Sequence, residues 1–169
     1  MNLDLLVEME LNRWDWSNIM ECDGPATKIP SAIRELISAD TPQEARAAYW
    51  KLENHVVVQG GIFEAAVYTV PVLVAALVRN DRPTHFVIAT MNLFFQILAG
   101  DVRSEERERG LHDLKERCIA AMREGLWVLY AYYSNPILRL SVGDVIAALD
   151  KDEYRLKYLD DHLKKNESK

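Results

Sequence analysis

The sequence predicts an all-α protein of about seven or eight helices, arranged as antiparallel pairs that stack into a short α-solenoid. Apolar residues recur at helical spacing along most of the chain, and helix start and stop signals separate segments of about 10 to 20 residues. A chain of 169 residues with 49% apolar composition is enough for one core. We therefore expect a single all-helical domain over residues 1–169, with the clearest helix pairs in 29–100 and further C-terminal helices in 101–169.

The most apolar segment is residues 55–78, HVVVQGGIFEAAVYTVPVLVAALV. A membrane span needs about 20 predominantly apolar residues, and Glu64 interrupts this one. The segment also lacks the alternation of a half-buried strand. We therefore predict two buried helices separated by Gly60-Gly61, the first ending at Val58 or Gln59 and the second beginning near Ile62. Pro71 should kink the second helix without ending it.

Two shorter segments carry clear helix start signals. Apolar residues from Ile29 to Ile37 follow helical spacing, and Pro30 occupies the first turn. Thr41-Pro42-Gln43-Glu44 has the pattern of a capping box with proline at the first helical position. A further helix is expected from Thr84 to Leu98, ending at Gly100.

The C-terminal part of the chain shows the same periodicity. One long helix should run from Leu111 to Tyr133, because Asn135-Pro136 would end it. Ser141-x-x-Asp144 resembles a second capping box, and a last helix carries Leu156, Leu159 and Leu163. No segment of the chain makes a convincing strand.

Charge and cysteine content limit the classes of function. The chain has 26 acidic and 20 basic residues without a basic cluster, which disfavours nucleic-acid binding. Cys22 and Cys118 are far apart and lie in no metal-binding spacing, so we expect free thiols in a reducing compartment. The N-terminus is acidic where an export signal would be basic. These features predict a cytoplasmic protein without a membrane segment.

The first half of the chain resembles bacterial small HEAT-repeat-like proteins. The resemblance lies in LNRWDWSNIMECDGPATKIPSAIRELIS and in EARAAYWKLENHVVVQGGIFEAAVYTVPVLVAALV. The matching positions are Trp16, Gly24, Ala26, Pro30, Gln59, Gly60, Phe63, Glu64, Ala65 and Pro71. This resemblance implies a HEAT-like α-solenoid that binds proteins and has no catalytic residues. Short members of the family are similar to immunity proteins, which bind and neutralise a cognate bacterial toxin in the cytoplasm.

The candidate partner-binding residues are acids and aromatics. The first 23 residues contain six acids against a single Arg13, and such one-sided charge would steer a partner with a basic contact surface. Two indoles separated by one residue cannot both face the centre of a helix, and the tyrosines near the end of the long helix pose the same problem. The predicted binding residues are Asp4, Glu8, Glu10, Trp14, Asp15, Trp16, Tyr130 and Tyr132, with Tyr133 beside them.

No motif supports catalysis, a cofactor or a metal. The histidines, His55, His85, His112 and His162, show no i, i+4 pairing, and nucleophile and phosphate-loop patterns are absent. Glu64 is either a first-turn acid held by amides near Gly60 and Gly61 or a buried acid with a raised pKa. The leading hypothesis is thus an immunity protein that occludes a protein toxin. The alternatives are an adaptor subunit that buries its C-terminal leucines in a permanent complex, and an enzyme built on Glu64 and His55.

Overall fold

A computed structural model describes residues 4–167 and confirms a mostly helical, all-α fold. The helices in this range are α1 (Asp4–Asn12), α2 (Ile29–Ile37), α3 (Pro42–Val56), α4 (Ala65–Leu77), α5 (Thr84–Ala99), α6 (Ser104–Glu108), α7 (Leu114–Glu124), α8 (Leu126–Tyr133), α9 (Arg139–Leu149) and α10 (Glu153–Glu167). The strands are β1 (Met20–Glu21), β2 (Gly24–Pro25), β3 (Val57–Val58), β4 (Gly61–Ile62) and β5 (Asp101–Val102). None of the helices within residues 4–167 is long and apolar enough to cross a membrane.

The helices pack in two layers, and α4 contacts helices of both. One layer contains α1, α4 and α7, and the other contains α3, α5 and α9, with α2 packed on both α3 and α4. The apolar pattern of α4 runs round the whole helix, and nine of its thirteen residues are buried. A helix without a polar face has to be covered on all sides. This requirement places α4 in the middle of the molecule, with Pro71 inside it as predicted.

The break at Gly60-Gly61 is a β-hairpin, so the prediction of a simple helix-to-helix junction was wrong. Strands β3 and β4 pair antiparallel, with Val58 opposite Gly61, and the two-residue turn has positive φ at both Gln59 (50°) and Gly60 (77°). Such turns match the twist of paired strands, and glycine adopts positive φ without strain. Helix α3 therefore ends at Val56, and α4 begins only at Ala65.

A third short strand ties this hairpin to the end of α5. Strand β5 pairs parallel with β4, and Asp101 N donates to Gly60 O at 2.8 Å while Arg103 N donates to Ile62 O at 3.2 Å. The expectation of no strands was also wrong at β1 and β2, which pair antiparallel around a turn at Cys22-Asp23. Each strand has only two residues, which is too short to show an alternating pattern in the sequence.

The predicted long helix from Leu111 to Tyr133 is two helices that meet at Gly125. A β-carbon at Gly125 would lie 2.8 Å from Cγ1 of Val74 on α4, so the chain passes too close to the core for a side chain. The periodicity of apolar residues continues across the break, which is why the sequence suggested one helix. This division and the short helices α1 and α6 bring the number of helices in residues 4–167 above the expected seven or eight.

The two predicted capping boxes have different outcomes. The Thr41 side chain accepts from Glu44 N, and the Glu44 carboxylate accepts from Thr41 N, which confirms the first. The second is wrong, because α9 begins at Arg139 and Ser141 lies inside its first turn. Leu138 is buried at the start of this helix, so packing sets the boundary before the serine.

Replacing Thr41 or Ser141 by alanine should show which of the two side chains caps a helix. We expect Thr41→Ala to lower the free energy of unfolding by about 1 kcal/mol, because it leaves an amide of α3 without its partner. Ser141→Ala should change it by less than about 0.5 kcal/mol, because alanine favours a helix interior. Urea denaturation of both variants measures the difference, and equal effects would contradict these assignments.

Candidate functional site

The predicted acidic surface is largely engaged in ion pairs within the chain. Asp4 on α1 contacts Arg79 at 2.9 Å and Arg82 at 2.7 Å, and the hydrogen bond from Arg82 lowers the pKa of Asp4. Glu8 accepts two hydrogen bonds from Arg34, at 3.0 and 2.8 Å, which lower the pKa of Glu8. These pairs fasten α1 to α2 and to the α4–α5 loop. They also offset part of the negative charge that was expected to attract a partner.

The other two predicted acids lie beside local partners. Glu10 is 3.5 Å from Arg13 one turn along the chain. Asp15 accepts from the amide and hydroxyl of Ser17 at 3.1 and 2.6 Å and from the amide group of Asn18 at 2.7 Å. The hydrogen bonds from Ser17 lower the pKa of Asp15. Asp15 thus organises the loop after α1 while its side chain remains on the surface.

The two N-terminal indoles lie in this loop and pack against the protein to different extents. Trp16 is buried, and its Nε1 donates to Leu11 O at 2.8 Å. Trp14 is half-buried, with its ring edge-on to Tyr68 at a centroid distance of 4.9 Å and the Arg13 guanidinium 4.6 Å from its centroid. The burial of Trp16 is at odds with its prediction as a partner-binding residue, and Trp14 offers only part of its ring to a partner.

The predicted tyrosine surface does not exist, because all three rings are buried. The hydroxyl of Tyr130 donates to Asp150 at 2.9 Å, that of Tyr132 to Arg79 O at 2.7 Å and that of Tyr133 to Asp160 at 3.1 Å. Burial raises the pKa of Tyr130 and of Tyr132 to about 12. A buried tyrosine satisfies its hydroxyl inside the protein, and these three do so from different sides of α8.

The structure instead presents an aromatic groove between α3 and α5. The groove has a volume of about 560 Å³, and its open sides carry Trp50 and Phe95, which are 45% and 49% exposed. The lining residues are Pro42, Ala45, Arg46, Tyr49, Trp50, Thr84, His85, Ile88, Ala89, Asn92, Phe95 and Gln96. Large exposed aromatics beside a concave apolar surface are typical of protein-binding sites.

The apolar face continues from α5 onto α9. Phe95 also borders a smaller depression of about 150 Å³ that includes Leu140, which is 78% exposed. Because Phe95 lines both the groove with Trp50 and the depression with Leu140, the two depressions are neighbours on the surface. We call this surface, formed by the α3–α5 groove and its extension to Leu140, the aromatic face.

Sequence reasoning missed the aromatic face because it assigned most large aromatics to the core. Two pairs of adjacent aromatic residues in the sequence nevertheless indicated exposed rings. Trp50 directly follows Tyr49, which belongs to the apolar stripe of α3, and Phe95 directly follows the fully buried Phe94. Adjacent residues on a helix point about 100° apart, so only one member of each pair can face the core.

Glu64 has partners that the sequence did not indicate. It stands at the N-cap of α4, where its Oε2 accepts from Met20 N at 3.1 Å and from Arg109 at 2.9 Å. Arg109 also contacts Glu106 at 2.8 Å, and burial raises the pKa of the Glu106 carboxyl. The amide that Glu64 binds belongs to strand β1, so the expectation of amides near Gly60 and Gly61 was wrong. Glu64 joins three segments of the chain.

One group of potential metal ligands occurs within the described residues. The ligand atoms of Cys22, Asp23 and His55 lie within 4.8 Å of one another. His85 is separate, with Nε2 2.8 Å from Ala39 O at the edge of the aromatic face. Sequence spacing could not reveal the group, because His55 lies 33 residues after Cys22 and tertiary packing brings them together.

Comparisons of this chain with protein-family models, with curated proteins and with solved structures find no match.

If Asp4 is a structural anchor, removing its charge should weaken the fold at neutral pH. We expect Asp4→Asn to lower the free energy of unfolding by about 1 kcal/mol at pH 7. The pKa of Asp4 is lower in the folded protein than in the unfolded chain. The contribution of Asp4 to the free energy of unfolding is therefore fully present above the unfolded-state pKa of about 3.9, and it is lost as the pH falls through the folded-state pKa. The difference between wild type and variant should therefore shrink below about pH 4.

Asp81→Asn provides the control, because Asp81 contacts Arg79 on the surface and is 70% exposed in its side chain. Its effect on the free energy of unfolding should be clearly smaller than that of Asp4→Asn. Denaturant titrations between pH 3 and 7 test both variants. An Asp4→Asn protein as stable as wild type at pH 7 would show that the Asp4 pairs contribute nothing to the fold.

Proposed function

We propose that this protein is a protein-binding scaffold whose docking surface is the aromatic face. The observation that carries the proposal is the groove between α3 and α5, with Trp50 and Phe95 half exposed on its sides. Exposing two large aromatic rings to water is unfavourable unless a partner covers them. Tryptophan in particular is a common centre of binding energy in protein interfaces.

The chemistry of the groove favours an apolar segment with acidic flanks. The groove between two adjacent helices is lined mostly by apolar and aromatic side chains, which is the setting in which amphipathic helices dock. Arg46 and His85 lie among the lining residues, and none of the described residues that line the groove is acidic. Carboxylates on the partner would therefore complement the rim. This preference differs from the basic partner that the N-terminal acids predicted.

We further propose that the bound protein is a toxin and that the chain acts as its immunity protein. The support for this step is the resemblance of residues in the first half of the chain to small HEAT-repeat-like proteins, together with an all-α fold in two layers. Such a scaffold needs no catalytic group, since it acts by covering the toxin. The adaptor hypothesis has less support, because Leu156, Leu159 and Leu163 are partly buried against the protein's own core.

A charge placed in the groove should abolish partner binding. We expect Trp50→Glu to lose the proteins that the wild-type chain captures from a lysate of its source cells, because binding would bury an unpaired carboxylate. Trp127→Glu is the matched control, since Trp127 is 69% exposed on α8 and lies outside the groove. Mass spectrometry of the captured proteins measures the outcome. Equal capture by both variants would place the binding site elsewhere.

Co-expression of the captured protein with this chain distinguishes neutralisation of a toxin from other kinds of binding. The captured protein should stop growth when expressed alone, and the wild-type chain or its Trp127→Glu variant should restore growth where Trp50→Glu does not. Circular dichroism of the purified variants controls for folding. A captured protein that is harmless when expressed alone would contradict the immunity role and favour an adaptor.

A further inference from the structure

A polar cluster forms where the β1–β2 hairpin meets the end of α3. Cys22 and Asp23 are the turn residues of the hairpin, and Cys22 N donates to His55 O at 3.3 Å. The Cys22 thiol donates to Asn54 O at 3.1 Å. These bonds hold the tip of the hairpin against the last turn of α3 and bring side chains from both segments together.

Three side chains converge on a single nitrogen of His55. Its Nδ1 lies 3.1 Å from Oε2 of Glu21, 3.9 Å from Sγ of Cys22 and 4.0 Å from Oδ2 of Asp23. One ring nitrogen donates at most one hydrogen bond, so it cannot satisfy all three groups. The side chain of Glu21 is only 5% exposed, and its buried Oε2 has the His55 contact at 3.1 Å but no hydrogen bond of good geometry. A buried oxygen without a hydrogen bond calls for another partner.

The distances suit a small divalent cation with sulfur, nitrogen and oxygen ligands. In a tetrahedral zinc site with usual bond lengths, sulfur and nitrogen lie about 3.6 Å apart, and nitrogen and oxygen about 3.3 Å apart. The separations of Cys22 and Asp23 from His55 exceed these values by less than about 1 Å. Asp23 can close this gap by rotation, because its side chain is 78% exposed.

We propose that Cys22, Asp23 and His55 bind a zinc ion, with the Glu21 carboxylate beside the His55 ligand. Thiolate, imidazole and carboxylate are the ligands that zinc takes in proteins. The ion replaces the single proton that Nδ1 can offer with a charge that all three ligands contact. It would fasten the β1–β2 hairpin to α3, beside the Glu64 bond to Met20 N.

The Cys22 thiol is not activated as a nucleophile, and as a zinc ligand it would have to lose its proton when the ion binds. Burial, with the charges of Asp23 and Glu21, raises the pKa of the Cys22 thiol to about 11. Cys22 is therefore protonated at neutral pH without a cation, and a catalytic cysteine requires the opposite shift. When zinc binds, a sulfur–zinc bond forms, and the thiol proton passes to the solvent without any redox change.

Cobalt is the spectroscopic probe for this site. Titration of the full-length, tag-free, reduced protein with Co²⁺ should give a thiolate-to-cobalt absorption band that saturates at one equivalent and disappears when Zn²⁺ is added. Cys22→Ser should abolish the band, while Cys118→Ser should retain it, because Cys118 is buried in the core on α7. His55→Ala should weaken zinc binding by more than about tenfold, and His112→Ala should not.

A variant that loses metal binding supports the proposal only if it is folded. Circular dichroism of the metal-free variants checks that they are folded, and Asp23→Asn serves if Cys22→Ser does not fold, because Asp23 is exposed. Asp23→Asn should keep the band and lower the affinity for Zn²⁺ about tenfold. Absence of the band in the wild type, or its survival in folded Cys22→Ser, would overturn the proposal. Zn²⁺ affinity unchanged by both Asp23→Asn and His55→Ala would do the same.

Discussion

Helix α4 is the constraint on which the rest of the structure depends, because it has no polar face to turn towards water. It contacts α1, α2, α3, α5 and α7, so five helices together remove its surface from solvent. Apolar burial is the dominant favourable term in folding, and a helix that is apolar all round gains from it only when it is enclosed. Two layers of helices are the arrangement that provides this enclosure, and the groove arises because α3 and α5 meet in one of those layers.

The short strands satisfy the backbone hydrogen bonds of segments that connect the buried helices. Strands β3 and β4, between α3 and α4, pair with β5, which follows α5, where ordinary loops would leave amides and carbonyls unpaired. Around them, Glu64 binds the Met20 amide and Arg109, while the β1–β2 hairpin brings Cys22 and Asp23 to His55. The contacts of Glu64 and the group of Cys22, Asp23 and His55 share no residue with the lining of the groove.

Charge and apolar exposure thus have different roles in this protein. The N-terminal acids Asp4 and Glu8 are largely committed to arginines of the same chain and hold α1 in place. Such half-exposed ion pairs contribute modestly to stability. They also reduce the negative electrostatic potential that could attract a partner. Exposed aromatic rings in a groove provide binding energy through burial, which is why the functional proposal rests on Trp50 and Phe95. The metal proposal rests on a separate set of contacts, so either can fail without the other.

The sequence by itself determined the all-α class, the start of α3 at the Thr41 capping box, the end of α5 near Gly100 and the buried helix that contains Pro71. These features follow from periodicity and local backbone chemistry, which neighbouring residues decide. Only the tertiary structure decided the break at Gly125, the strands, the burial of Tyr130 and its neighbours, and the meeting of Cys22 with His55. Each of these depends on contacts between segments distant in the sequence. Periodicity reports that a side chain lies on an apolar face, but only packing decides whether another helix covers it, as with Phe94, or leaves it exposed, as with Phe95.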